Sequence, residues 1–183
     1  MIDDAPSVWV ARWTADLAVG TSALDVACGS GRHSRLLAER GCRVTAVDRD
    51  PASAQALANE ANVEFIQADL EADQWPLGNR TFDAIVVSNY LYRPLFAMLK
   101  RALAPDGMLI YETFAAGNAA FGRPSNPDYL LHPRELLDAF GAHLRVLAFE
   151  DGFTEQPKRA MVQRIAVRNS EVRAVLPAEK CHL

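Results

Sequence analysis

The chain has 183 residues, half of them hydrophobic, which suits one compact domain with a sizeable core. A formal net charge of -4 at pH 7 argues against binding nucleic acid through its phosphates, which needs a basic face. The opening residues, MIDDAPS, are acidic and polar, and no apolar run approaches the roughly 18 to 20 residues of a membrane span; a soluble, cytoplasmic protein is expected.

Cys28, Cys42 and Cys181 have neither zinc nor disulfide spacing and read as free thiols in a reducing compartment. His33, His132, His143 and His182 are scattered, so no metal site is expected.

In chain order, PSVWVARW (6–13) predicts an N-terminal helix with Trp9 and Trp13 on one face. ALDVA (23–27) reads as a buried strand, followed by a helix through Leu36, Leu37 and Ala38 that Gly41 ends. RVTAVD (43–48) is the second strand, and Asp50-Pro51 supplies an N-cap and first-turn proline for a short alanine-rich helix. VEFIQA (63–68) is the third strand. FDAIVVS (82–88) is the fourth, with Ile85, Val86 and Val87 consecutive as in a strand covered on both faces.

A helix through Leu95, Met98, Leu99 and Leu103 comes next, then a tight turn at APDG (104–107) into MLIYETF (108–114), the fifth strand. Helix RELLDAF (134–140) leads to HLRVLAFED (143–151) and AMVQRIAVR (160–168). About eight residues join these last two strands, too few for a parallel crossover of a dozen or more, so they should pair antiparallel. Lys158, Arg159, Arg164, Arg168 and Arg173 read as the solvated side of a strand. The βαβα rhythm predicts an α/β, Rossmann-like, seven-stranded, mostly parallel sheet with helices on both faces and a C-terminal antiparallel pair. One domain should span 1–183, with residues 1–20 as a helical cover and 170–183 as a flexible tail.

The chemistry centres on LDVACGSGRHS (24–34). In an open parallel sheet the ligand lies beyond the C-terminal strand ends, where strand order reverses, and the first strand with its turn occupies that point. Gly29 and Gly31 permit tight dihedrals and remove side chains that would block a ligand. Asp48 ends the second strand, nineteen residues beyond Gly29, where an acid can accept hydrogen bonds from both ribose hydroxyls. A dinucleotide and S-adenosylmethionine both carry such a ribose. Ser34 stands where the dinucleotide fingerprint wants its third Gly or Ala. Asp25, useless to a pyrophosphate, can hold a methionyl ammonium directly or through water. The sulfonium cofactor is favoured.

With these motifs in order (the glycine turn, VTAVD, QADLE, FDAIVVSNYL and LAPDGMLIYETF), the chain resembles the class I S-adenosylmethionine-dependent methyltransferases over nearly its whole length. In layout it is most similar to the small tellurite-resistance-type members. Ala27 stands where many members have the first glycine of the signature. The resemblance implies that Asp69 receives the adenine amino group and that Leu70 offers its backbone N–H to the ring. It implies cofactor contacts for Ala27, Arg49, Ser88 and Asn89 as well. Arg12 is the candidate partner of the methionine carboxylate, because a guanidinium fork matches a carboxylate bidentately. The helix carrying it reads equally as a cofactor lid or as packing on the sheet.

Methyl transfer from a sulfonium is an in-line displacement that needs alignment, with the acceptor about 3 to 3.5 Å from the methyl carbon. A base is required only when an acceptor proton must leave early. The candidate acceptor pocket is formed by NYLYRPL (89–95), YETF (111–114) and FGRPSNPDYLLHP (121–133), with polar groups from Tyr90, Tyr92, Arg93, Tyr111, Glu112, Arg123 and Asn126. A small or anionic small-molecule acceptor is the first expectation, with Arg93 and Arg123 as anion contacts. A protein acceptor comes second, RNA third, and a non-catalytic cofactor-binding scaffold is the alternative outside enzymology.

Overall fold

The computed structural model describes residues 5–72 and 74–170. Seven strands form one sheet in the order β3-β2-β1-β4-β5-β7-β6. They are β1 (Ser22–Val26), β2 (Arg43–Asp48), β3 (Val63–Gln67), β4 (Phe82–Ser88), β5 (Leu103–Phe114), β6 (Arg145–Thr154) and β7 (Ala160–Arg168). The pairs among β3, β2, β1, β4 and β5 are parallel. The two pairs made by β7 are antiparallel, as the short connection requires. Strand order reverses between β1 and β4, which opens a crevice at their carboxyl ends.

Helices α1 (Val8–Trp13), α2 (Arg32–Glu39), α3 (Ala52–Leu57), α4 (Leu95–Arg101) and α5 (Glu135–Phe140) cover the two faces. One face buries Ala84, Val86, Met108, Ile110 and Ala166 against Trp9 and Val10 of α1 and Leu37 of α2. The other buries Ile85, Val87, Leu109, Tyr111 and Ile165 against Leu95 and Leu99 of α4 and Leu136 and Phe140 of α5. Alternate residues of β4 and β5 thus point into separate cores, which is why both strands read as continuous apolar runs.

Local chemistry starts the helices where the sequence indicates. The Ser7 hydroxyl accepts from the N–H groups of Trp9 (3.1 Å) and Val10 (3.4 Å), capping α1. Asp50 accepts from the Ala52 N–H at 2.9 Å before α3. Around β5 the structure differs from the expectation. Leu103 belongs to β5, pairing with Phe82, and the pairing then jumps to Ala84↔Met108. APDG is therefore a bulge inside the strand. Asp106 takes φ 60, and the bulge is tied to the end of β7 by Asp106 N–H to Asn169 O and Asn169 N–H to Gly107 O, both 2.8 Å. A side chain at Gly107 would meet the Phe82 carbonyl at 2.8 Å, so the strands close only over glycine.

The expected cover at 1–20 is a helix packed on the sheet, as far as residues 5–20 are described. Most of the expected tail, 171–183, lies outside the described residues. No helix among the described residues is long and apolar enough to cross a membrane.

Candidate active site

A cavity of about 380 Å³ lies along the carboxyl ends of the strands. Ala27 after β1, Asp48 and Arg49 at the end of β2, and Ala68 to Glu71 after β3 line one part of it. Asn89 to Leu91 after β4, Thr113 and Phe114 of β5, and Pro124 and Tyr129 from the following loop line the rest. Its size falls in the range of small-molecule pockets, roughly 300 to 1,000 Å³.

Asp48 is the hub. One carboxylate oxygen accepts from the Gly29 N–H at 2.8 Å, and the other from the Asp50 N–H at 2.9 Å. A carboxylate has about four acceptor positions. Two are thus left at this half-buried group, enough for a pair of ligand hydroxyls. Asp69 accepts from the Glu71 N–H at 2.9 Å, which shapes the loop that presents the Leu70 backbone. Ala27 and Asn89 both hold positive φ, 53 and 56, at the tips of the two strands flanking the crevice. Non-glycine residues in that region cluster at ligand sites, held by surrounding structure at a cost of about 1 to 3 kcal/mol each.

The two signature glycines have different reasons. A side chain on Gly29 (φ +54) would meet nothing within 4 Å, so the turn's backbone stands open. A Cβ on Gly31 (φ +77) would lie 2.4 Å from the Leu57 Cδ2 atom. Gly31 is therefore required for packing α2 against α3, and the expectation that it clears space for a ligand is corrected.

Several other expected roles change. Asp25 is 1% exposed and lies below the turn, accepting from the Ser34 hydroxyl at 2.6 Å. Burial pushes its pKa up to about 6. It braces the start of α2 and does not line the cavity. Arg12 is exposed, with its guanidinium 5.5 Å from the Trp13 ring centroid, and is not a cavity residue. Arg32 reaches the tip of β4, donating to the Ala5 carbonyl at 3.0 Å and to the Ser88 hydroxyl at 3.4 Å. Ser88 in turn donates to Glu112 at 3.3 Å, and Glu112 pairs with Arg164 at 3.1 Å. Glu112 therefore belongs to a polar network on the α1 face and does not form an acceptor-pocket wall.

Of the remaining acceptor candidates, Tyr90 lines the cavity. Burial, reinforced by the negative charges of Glu71 and Asp69, pushes its pKa up, so its hydroxyl is a donor and no base near neutral pH. Tyr111 is 1% exposed and spends its hydroxyl on the Tyr90 carbonyl at 2.9 Å, positioning the loop from within the core. Arg93 is consumed by Glu135 (2.7 and 3.0 Å) and by the carbonyls of Asp128 and Leu130, so it clamps the loop rather than facing an anion. Asn126 caps the turn Pro127–Tyr129. Arg123 is exposed, and its neighbour Pro124 is the residue that lines the cavity. Thr113, Phe114 and Tyr129 are wall residues within the expected pocket segments, though not among the polar groups named there, and Glu71 is a wall residue outside those segments. Strand parity was the available signal for Thr113, two residues beyond the buried Tyr111. Among the described residues no cluster of His, Cys, Asp or Glu is arranged to hold a metal ion.

Comparison with known proteins places this geometry. Residues 23–107 match the family described as "Methyltransferase domain". Over 105 residues the chain is 35% identical to a malonyl-[acyl-carrier protein] O-methyltransferase of Serratia marcescens, covering 54% of this chain and 40% of that one. The chain thus aligns with less than half the length of that curated relative. TehB from Haemophilus influenzae superposes with a TM-score of 0.70 at 18% identity, covering 87% of this chain and 60% of that one. The 1,6-didemethyltoxoflavin-N1-methyltransferase of Burkholderia thailandensis, solved with S-adenosylhomocysteine, gives 0.65 at 21%, covering 88% and 76%. The matched segment, a little under half of the chain, carries the glycine turn, Asp48 and the first four strands, and the chain shares the fold of these solved structures.

Proposed function

We propose that the chain binds S-adenosylmethionine in the strand-end cavity and transfers its methyl group to a small-molecule acceptor. The observation that carries this reading is Asp48, fixed by the Gly29 and Asp50 N–H groups in the cavity wall with acceptor capacity left over. Asp69 and the Leu70 backbone suit the adenine, and the open turn at Gly29 lets a ligand approach the main chain. Bound there, S-adenosylmethionine supplies an electrophilic methyl group on sulfur. The chain contributes alignment: Asn89 and Tyr90 border the cavity midway, and Thr113, Phe114, Pro124 and Tyr129 shape its far end. The Tyr90 hydroxyl donates a hydrogen bond and takes no proton. The Burkholderia structure is named as an N1-methyltransferase of 1,6-didemethyltoxoflavin, a small molecule, and the Serratia relative as an O-methyltransferase of a malonyl-[acyl-carrier protein].

Calorimetry with S-adenosylmethionine, S-adenosylhomocysteine, NAD and FAD tests the reading. The first two should bind, and Asp48→Ala should weaken them by about one to two orders of magnitude, since hydrogen bonds to a charged acceptor are worth roughly 1.5 to 3 kcal/mol each. Tight NAD binding without a response to S-adenosylhomocysteine, or unchanged affinity in a folded Asp48→Ala protein, would refute it. Binding without turnover on any acceptor would favour a scaffold.

A further inference from the structure

We propose that the tip of the β6–β7 hairpin completes the acceptor end of the cavity, where Lys158 and Arg159 recognise the anionic group of a flat, apolar small molecule. The proposal rests on the methyl-transfer reading and adds a substrate class to it. Phe114 links the two regions. Phe114 is a cavity-lining residue, and the Lys158 ammonium lies 4.9 Å from its ring centroid. The next residue, Arg159, holds its guanidinium 5.5 Å from the Phe121 centroid and 5.6 Å from that of Phe153. Those two rings are 5.0 Å apart and partly exposed, at 38% and 46%.

Long cationic side chains at a hairpin tip ordinarily keep their rotamer freedom in water. Here both are laid on aromatic faces. A ring quadrupole attracts a cation within about 6 Å of its centroid but does not neutralise its charge. Arg80, Arg93 and Arg164 are each matched by a carboxylate. Lys158 and Arg159 form no ion pair among the described residues; Glu155 in the same tip and Asp128 in the preceding loop pair with neither. Lys158, laid over Phe114, therefore holds an oriented, unneutralised charge next to a residue of the cavity end formed with Pro124 and Tyr129, and Arg159 adjoins it on Phe121, three residues before Pro124. That combination suits a flat apolar body with a carboxylate or similar oxyanion at its edge. The expected anion contacts Arg93 and Arg123 are thereby replaced by two residues that the sequence alone presents as solvated strand charges.

The test uses the full chain saturated with S-adenosylhomocysteine and titrated with 2-naphthoate and, as a neutral counterpart, 2-naphthalenemethanol. The carboxylate should bind more tightly than the alcohol. Lys158→Gln should weaken naphthoate by about tenfold or more, the weight of one charge-assisted contact, and the Lys158→Gln/Arg159→Gln double variant should weaken it further. Neither change should alter the affinity for the alcohol or for S-adenosylhomocysteine. Naphthoate binding no tighter than the alcohol, or equal in wild type and double variant, overturns the proposal. Failure to bind S-adenosylhomocysteine is a separate result that strikes the methyl-transfer reading, and the naphthoate comparison is then read on the protein alone.

Discussion

Gly29 and Gly31 stand two residues apart in one turn, both at positive φ, yet they answer to different neighbours. Replacing either by alanine imposes the left-handed backbone cost of about 1 to 2 kcal/mol. At Gly31 the new methyl group also overlaps Leu57, 2.4 Å from its Cδ2 atom, in a packed region with little room to give. Gly31→Ala should therefore lower the midpoint of urea unfolding clearly more than Gly29→Ala. Gly29→Ala should show its larger effect on S-adenosylhomocysteine affinity, because the added methyl points where nothing of the protein lies. Equal unfolding midpoints would contradict this division. The same contrast explains why the residues of the site were only partly legible in the sequence. Asp48 was legible because a strand end in a parallel sheet has one outlook, toward the ligand crevice. Asp25 was not, because its direction depends on which face of β1 it takes, and that face places it under Ser34. Arg12 and Glu112 failed for the same reason: residue type was visible, but the tertiary partner was not.

At the scale of elements, the loop from Phe121 to Pro133 has two attachments. Its end pairs with β5 through Leu131 N–H to Phe114 O at 3.0 Å and Ala116 N–H to Leu131 O at 2.9 Å. Arg93, at the entrance to α4, holds it from the other side through four hydrogen bonds shared between Glu135 and the carbonyls of Asp128 and Leu130. A bidentate fork reaching two carbonyls besides has no lysine equivalent. Arg93→Ala should raise amide hydrogen exchange over about residues 128 to 135 and speed proteolysis of the loop, with Arg93→Lys only partly restoring protection. Exchange in β1 and β4 should stay slow. A uniform rise across the sheet would mean that Arg93 supports the whole fold rather than this loop. The loop's presence was legible from its prolines and glycine. Its clamp was not, since the partners lie 35 to 42 residues from Arg93.

For the whole molecule, strand order and the antiparallel ending were legible because they follow from connection length and from the burial pattern of whole segments. The bulge at APDG was not, because it depends on a pairing with Asn169 more than sixty residues away. Two buried titratable groups beside the glycine turn give the domain an opposed pH response. His33 accepts the Ser7 N–H at 3.1 Å through Nε2, and burial lowers its pKa from 6.5 to about 3. Its contribution to stability is present above pH 6.5 and is lost as pH falls toward 3, because the unfolded chain takes up the proton first. Asp25 works the other way. With its pKa raised from 3.8 to about 6, its contribution is present below 3.8 and is lost as pH rises through 6. Between about pH 4 and 6 the two slopes, each about 1.4 kcal/mol per pH unit, cancel. Asp25→Asn removes one of them. Relative to wild type, the variant should gain about 2 kcal/mol in unfolding free energy between pH 4 and 7, on top of a pH-independent offset for the altered bond to Ser34. Urea unfolding of both proteins at pH 4, 5, 6 and 7 reads this difference directly, because every other titrating group is common to both. A constant difference across the series would show that Asp25 titrates as it does in the unfolded chain and that burial does not raise its pKa.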